Sequence, residues 1–159
     1  MTETQIRQWM NEAIELSRRN VRENKGGPFA ALIARDGRII SRGTNLVTSV
    51  NDPTAHAEVI AIREACRSLG TFSLEGCLIV TSCEPCPMCL GAIYWARLDN
   101  IYYANSREDA ARIGFDDGLI YREIALPVKD RKILTVQVMQ HDARIAFEEW
   151  EKKVDKTRY

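Results

Sequence analysis

No apolar run in this sequence is long enough to span a bilayer. The longest, such as the one around Ile79, stops far short of the roughly 20 residues a membrane helix needs. No charge of one sign prevails either. Lys plus Arg is 22 and Asp plus Glu is 22, so the formal net charge is zero. That balance removes the field that would draw in a polyanion, which argues against nucleic acid as a partner. The opening MTETQIRQWM mixes charged and apolar residues and lacks the apolar core of a signal peptide. No repeat, low-complexity tract or linker interrupts the chain. What remains is ordinary globular composition, 45% hydrophobic and 28% charged over 159 residues, which predicts one domain with a single core. The expected compartment is a reducing cytoplasm with no membrane contact. There, clustered cysteines bind metal or react more often than they form a disulfide framework.

Apolar spacing then orders the elements. Ile6, Trp9, Met10, Ala13, Ile14 and Leu16 recur with helical period, and Gly26-Gly27-Pro28 ends that helix. PFAALIA and RIISRGT read as strands joined at an Asp36-Gly37 turn. Asn51-Asp52-Pro53-Thr54 opens a helix running from about His56 to Leu69. CLIVTS, NIYYAN and KILTVQV complete a set of five strands. MCLGAIYWA, REDAARIG and a last helix from near Asp142, with Ile145, Ala146, Phe147 and Trp150 on one stripe, are helical. Strands alternating with helices after an opening hairpin predict a mixed α/β sheet with helices on both faces.

Three of the five cysteines lie in TSCEPCPMC, as Cys83, Cys86 and Cys89. Cys86 and Cys89 form C-x-x-C at a predicted helix start, where outward amides and the helix dipole favour thiolates. A third donor, His56, begins another predicted helix in TAHAEV, with Glu58 two residues on. Two residues turn a helix by about 200°, so His56 and Glu58 converge only at a helix end. One imidazole and two thiolates make three zinc ligands and leave a fourth position for water. Two anionic ligands make such a zinc a weak acid, so a carboxylate is needed as proton carrier, and Glu58 is placed for it. H-x-E followed by P-C-x-x-C is the zinc deaminase signature, present as His56-Ala57-Glu58 and Pro85-Cys86-Pro87-Met88-Cys89.

Plainer readings stand beside this one. Cys83 as a fourth ligand would make a structural zinc module that binds a partner and does no chemistry. A redox C-x-x-C pair would leave His56 and Glu58 unexplained. Cys66 and Cys77 read as small core or surface residues. His141, the only other histidine, has no ligand spacing around it.

The blocks GGPFAALI, NDPTAHAEVIAIREAC, TSCEPCPMCLGAIYWAR and GFDDGLIYREI resemble the cytidine deaminase-like superfamily. Within it they are most similar to bacterial guanine deaminases; GFDD and the long EPCPMCLGAIYWA block point to that branch. The resemblance implies a three-layer α/β/α sandwich around a mixed five-stranded sheet, spanning 1–159 as one domain. It also implies one zinc per chain and a homodimer in which residues 140–159 cross to the partner. A terminal Tyr159 would then close the partner's pocket. The implied activity is hydrolytic deamination of guanine to xanthine and ammonia, with Glu58 as proton shuttle. Phe29, Asn45, Ala57, Trp95, Asp117 and Tyr159 are the implied substrate contacts. A flat purine needs such aromatic walls and a few fixed polar partners. Asn45 is expected to face the ring's carbonyl edge, and Asp117 to accept from ring N–H groups. Guanosine deaminase, which would need the loop at 118–123 to admit ribose, and cytosine deaminase share the zinc core. A tRNA adenosine deaminase should carry a basic face, whereas residues 148–159 hold four acids and four bases.

Overall fold

A computed structural model describes residues 2–158. They form two compact units, one ending at Asp117 and the other beginning at Gly118. In the first unit, helix α1 (Glu3–Arg22) leads into β1 (Ala30–Arg35) and β2 (Arg38–Thr44). A short α2 (Val47–Val50) and α3 (Ala57–Leu69) follow. Then come β3 (Leu78–Cys83), α4 (Pro87–Trp95), β4 (Asn100–Asn105) and α5 (Arg107–Arg112).

The sheet has the order β2-β1-β3-β4. β1 is antiparallel to both β2 and β3, and β3 is parallel to β4. The start of β1 and the ends of β2, β3 and β4 therefore share one edge, and the loops leaving that edge carry the candidate site. Alternation along β1 divides the core. Leu32 and Ala34 pack with Trp9 and Ala13 of α1, while Ala31 and Ile33 pack with Ala57, Ala61 and Ile93 of α3 and α4. Helices thus cover both faces of the sheet, as strands buried on both sides require.

α1 is capped by the Thr2 side chain, which accepts from the Gln5 N–H at 3.3 Å. Its buried face runs Trp9, Ala13, Ser17, Asn20, so the inward stripe turns polar at its last turns. α3 lies tightly on β2. A Cβ on Gly43 would meet the Ala57 carbonyl oxygen at 2.1 Å, and the Ser41 hydroxyl donates to the Ala61 carbonyl at 2.7 Å. That close approach fixes where the first turn of α3 stands.

The second unit holds α6 (Gly118–Ala125), a 3-10 turn (Val128–Asp130) and α7 (Gln140–Lys152). Two sequence expectations are corrected here. Residues 118–123 are helical rather than a loop; Leu119, Ile120, Glu123 and Ile124 carry the helical spacing, and the flanking glycine is only its first residue. KILTVQV (residues 132–138) is not a strand, and among the described residues the sheet has four strands, not five. A β-rich segment becomes a strand only when a neighbour completes its hydrogen-bond ladder. Among the described residues this one has no such neighbour: Ile133, Leu134, Val136 and Val138 are all exposed. Among the same residues, no helix is long and apolar enough to cross a membrane.

Candidate active site

Both halves of the C-x-x-C and H-x-E pattern begin helices, and the two starts are built alike. His56 is the N-cap of α3 and Cys86 the N-cap of α4, each with extended backbone and neither spending its side chain on a cap hydrogen bond. The loop before His56 is set by an Asx turn. Asp52 accepts from the Thr54 N–H at 2.8 Å and its hydroxyl at 2.7 Å. Leu46 N–H then bonds the Ala55 carbonyl at 2.9 Å, which ties that loop to the end of β2. Pro87 takes the first helical position of α4, where no N–H is needed. Cys89 is then the third helical residue. Cap and third position face one another at a helix start, which is why the C-x-x-C spacing pairs its thiols.

The two helix starts bring three donors together. His56 Nδ1 lies 3.5 Å from Cys86 Sγ and 3.4 Å from Cys89 Sγ. The three ligand atoms all fall within 4.8 Å of one another. Two soft sulfurs and one imidazole nitrogen at that spacing fit a zinc ion. Cys83 stands outside the group; its thiol donates to the Ser106 carbonyl at 3.6 Å, and burial beside Glu58 pushes it up to about 11. It is not one of the three converging ligand atoms, so a closed four-ligand structural site is not what this arrangement builds.

Charge is distributed unequally across the group. The hydrogen bond from Cys89, together with that to His56, holds the Cys86 thiol down to about 4. Bonding to the Cys86 sulfur and burial push Cys89 up, so the pair shares one proton. The bond with Cys86 raises His56. Glu58, 6% exposed in the first turn of α3, is raised chiefly by burial; its Oε2 accepts from Cys89 at 3.4 Å. A raised carboxyl in contact with the donor set is the electrostatic profile of a proton carrier.

Two of the other expected site residues, Phe29 and Asn45, fall at the same sheet edge. Phe29 precedes β1 and Asn45 follows β2, joined by an Asn45 N–H to Phe29 carbonyl bond of 3.0 Å. Ala57, next to His56 in the first turn of α3, is fully buried. Asp117 is raised by burial and by the nearby Cys86 charge. Trp95 stands at the far end of α4 from Cys86 and is 68% exposed. Tyr159 lies outside the described residues. Phe115 was not among the sequence candidates, yet its ring meets Phe29 edge-on, centroids 4.9 Å apart. Its place inside GFDD was the available signal. His141 is exposed, next to Asp142.

Residues 3–105, which contain every one of these donors, match the model of the cytidine and deoxycytidylate deaminase zinc-binding region. The chain belongs to this deaminase family. Zinc is its cofactor, and His56, Cys86 and Cys89 are the group that fits one ion. Within the deaminase family the chain is 49% identical to the guanine deaminase of Bacillus subtilis over 151 residues, 95% of this chain and 97% of that protein. The crystal structure of guanine deaminase from Bacillus subtilis superposes with a TM-score of 0.95 at 47% identity, covering 100% of this chain and 99% of that one. A tRNA-specific adenosine deaminase of Aquifex aeolicus is 46% identical over only 77 residues, 48% of this chain and 51% of that protein. This family member is thus similar to the guanine enzyme along its length and to the tRNA enzyme over half of it.

Proposed function

We propose that this deaminase hydrolyses guanine to xanthine and ammonia. The observation that carries the reading is the full-length likeness to a guanine deaminase, including the region after residue 105 where the shared zinc segment has ended. His56 Nδ1 and the sulfurs of Cys86 and Cys89 would hold the ion, which when bound supplies an acidified water as nucleophile. Glu58 takes a proton from that water and delivers it to a ring nitrogen. The water oxygen bonds to C2, and the C2–amine bond breaks. Glu58 then takes the second proton from the new C2 hydroxyl and gives it to the amine, which leaves as ammonia while the C2 carbonyl forms. The amides at the start of α4, near Cys86, favour negative charge developing on the ring.

Phe29 supplies an aromatic wall for a flat base, with Ala57 beside the metal ligand; Trp95, exposed at the far end of α4 from Cys86, is not assigned to that wall. Asn45 offers amide protons to the ring carbonyl, and Asp117 accepts ring N–H groups. A half-buried carboxylate such as Asp117 loses hydrogen-bond partners when a ring with fewer donors binds, which favours a purine carrying N–H groups. Ammonia release from a panel of free bases and nucleosides tests the reading. Guanine should be turned over at least roughly a hundredfold faster than cytosine, cytidine or adenosine. Faster turnover of cytosine would overturn the purine assignment.

The active unit in this reading is a cytoplasmic homodimer, each chain one deaminase domain whose residues 140–159 cross to the other. Supporting it, α7 leaves Ile145, Phe147 and Trp150 exposed, and the apolar segment 132–138 is exposed before it. Tyr159 would close the partner's pocket. Deleting residues 156–159 should leave zinc in place, raise KM and lower turnover. Mixing that chain with an inactive Glu58→Gln chain should restore activity, since one hybrid site then has both an intact Glu58 and an intact tail. Full activity of the truncated protein alone would remove any role for the tail.

A further inference from the structure

Asn20 is 2% exposed, yet it belongs neither to the metal group nor to the residues assigned to the base. Its Nδ2 makes two hydrogen bonds, to the Gly27 carbonyl at 2.9 Å and the Asn45 carbonyl at 2.8 Å. Both protons of the amide nitrogen are thereby used. The two carbonyls belong to the two segments that present Phe29 and Asn45. Those segments also bond each other, because the Gly27 N–H donates to Asn45 Oδ1 at 3.1 Å. Gly26 permits the approach; a Cβ there would meet the Asn45 carbonyl oxygen at 2.2 Å and its Oδ1 at 2.8 Å.

This arrangement sets which end of the Asn45 amide is available. A backbone N–H only donates, so Gly27 N–H selects the amide oxygen of Asn45 and leaves Nδ2, the donor end, for a ligand. The donor end suits a ring carbonyl and opposes an amino group in the same place. Gly27 is held through its carbonyl, which accepts from Asn20 Nδ2 and from the Phe29 N–H at 2.8 Å, and the same Asn20 nitrogen also holds the Asn45 carbonyl. We propose that Asn20 is a positioning residue that fixes the amide polarity of Asn45 and so makes the pocket prefer a purine bearing a ring carbonyl.

The inference rests on the guanine reading, and a double-mutant cycle separates the two. Asn20→Ala, Asn45→Ala and the double variant, each zinc-loaded, are compared for guanine KM and kcat and for binding of 2-aminopurine. That base is fluorescent, keeps the C2 amine and lacks the carbonyl. Asn20→Ala should keep its zinc and raise guanine KM about tenfold or more, the scale of one lost hydrogen bond with a buried partner left unmatched. Its 2-aminopurine affinity should stay within about twofold, and adding Asn20→Ala to Asn45→Ala should cost guanine less than about twofold further. Equal weakening of both bases, or full additivity of the two substitutions, would overturn the proposal. A merely structural role gives that equal loss. Should Asn20→Ala not fold, Asn20→Ser, whose hydroxyl serves only one of the two carbonyls, is read by the same ratio of guanine to 2-aminopurine. Wild-type protein inactive on guanine would instead sink the underlying reading.

Discussion

Replacing Glu58 by Gln is expected to leave one zinc per chain and to lower turnover by about a hundredfold or more, the usual scale for losing a general acid–base. The substitution keeps volume and hydrogen bonding, and the side chain stays buried at the start of α3. What it removes is the ability to take a proton and give it back. Glu58 lies beside the donor set without being one of the three converging ligand atoms, so zinc content should not follow activity. The opposite pattern, zinc lost and residual turnover proportional to the zinc left, would make Glu58 a ligand. Near-normal turnover with zinc in place would remove it from the mechanism.

Cys86→Ala and Cys89→Ala should each release the metal on dialysis against a chelator, and activity should fall with it. Cys83→Ala should retain one zinc per chain. The three cysteines lie within seven positions, but the fold treats them differently. Cys83 ends β3 and turns its thiol to the Ser106 carbonyl, while Cys86 and Cys89 meet at the start of α4. Hydrogen bonding between the two sulfurs lowers Cys86 and raises Cys89, so metal binding displaces the proton that the pair shares. Zinc retention should therefore weaken as pH falls, because protons compete for the donors. Loss of zinc from Cys83→Ala with retention in Cys89→Ala would reverse the assignment.

Much of this site was legible without coordinates because its geometry is local. C-x-x-C at a helix start and H-x-E at another are spacings that a helix end converts directly into converging side chains. The fold class was legible for a similar reason: CLIVTS and NIYYAN are apolar runs bounded by helical patterns, and such runs make the inner strands of an α/β sheet. KILTVQV carries the same strand signal and formed no strand, because pairing is a property of two segments and the sequence of one does not supply the other. Residues 118–123, expected as a loop, lie in the helix Gly118–Ala125.

The sequence by itself pointed to the metal donors, to the carboxylate beside them and to most of the elements up to residue 112, since each is encoded within a few residues of one helix start or strand. Tertiary structure alone decided that Cys83 points away, that Phe115 meets Phe29, and that Asn20 ties Gly27 to Asn45. Those pairs are separated by 86 residues in one case and 25 in another, distances over which no periodicity extends. They exist because β1 runs antiparallel to its neighbours, which brings the start of one strand and the ends of three others to a single edge.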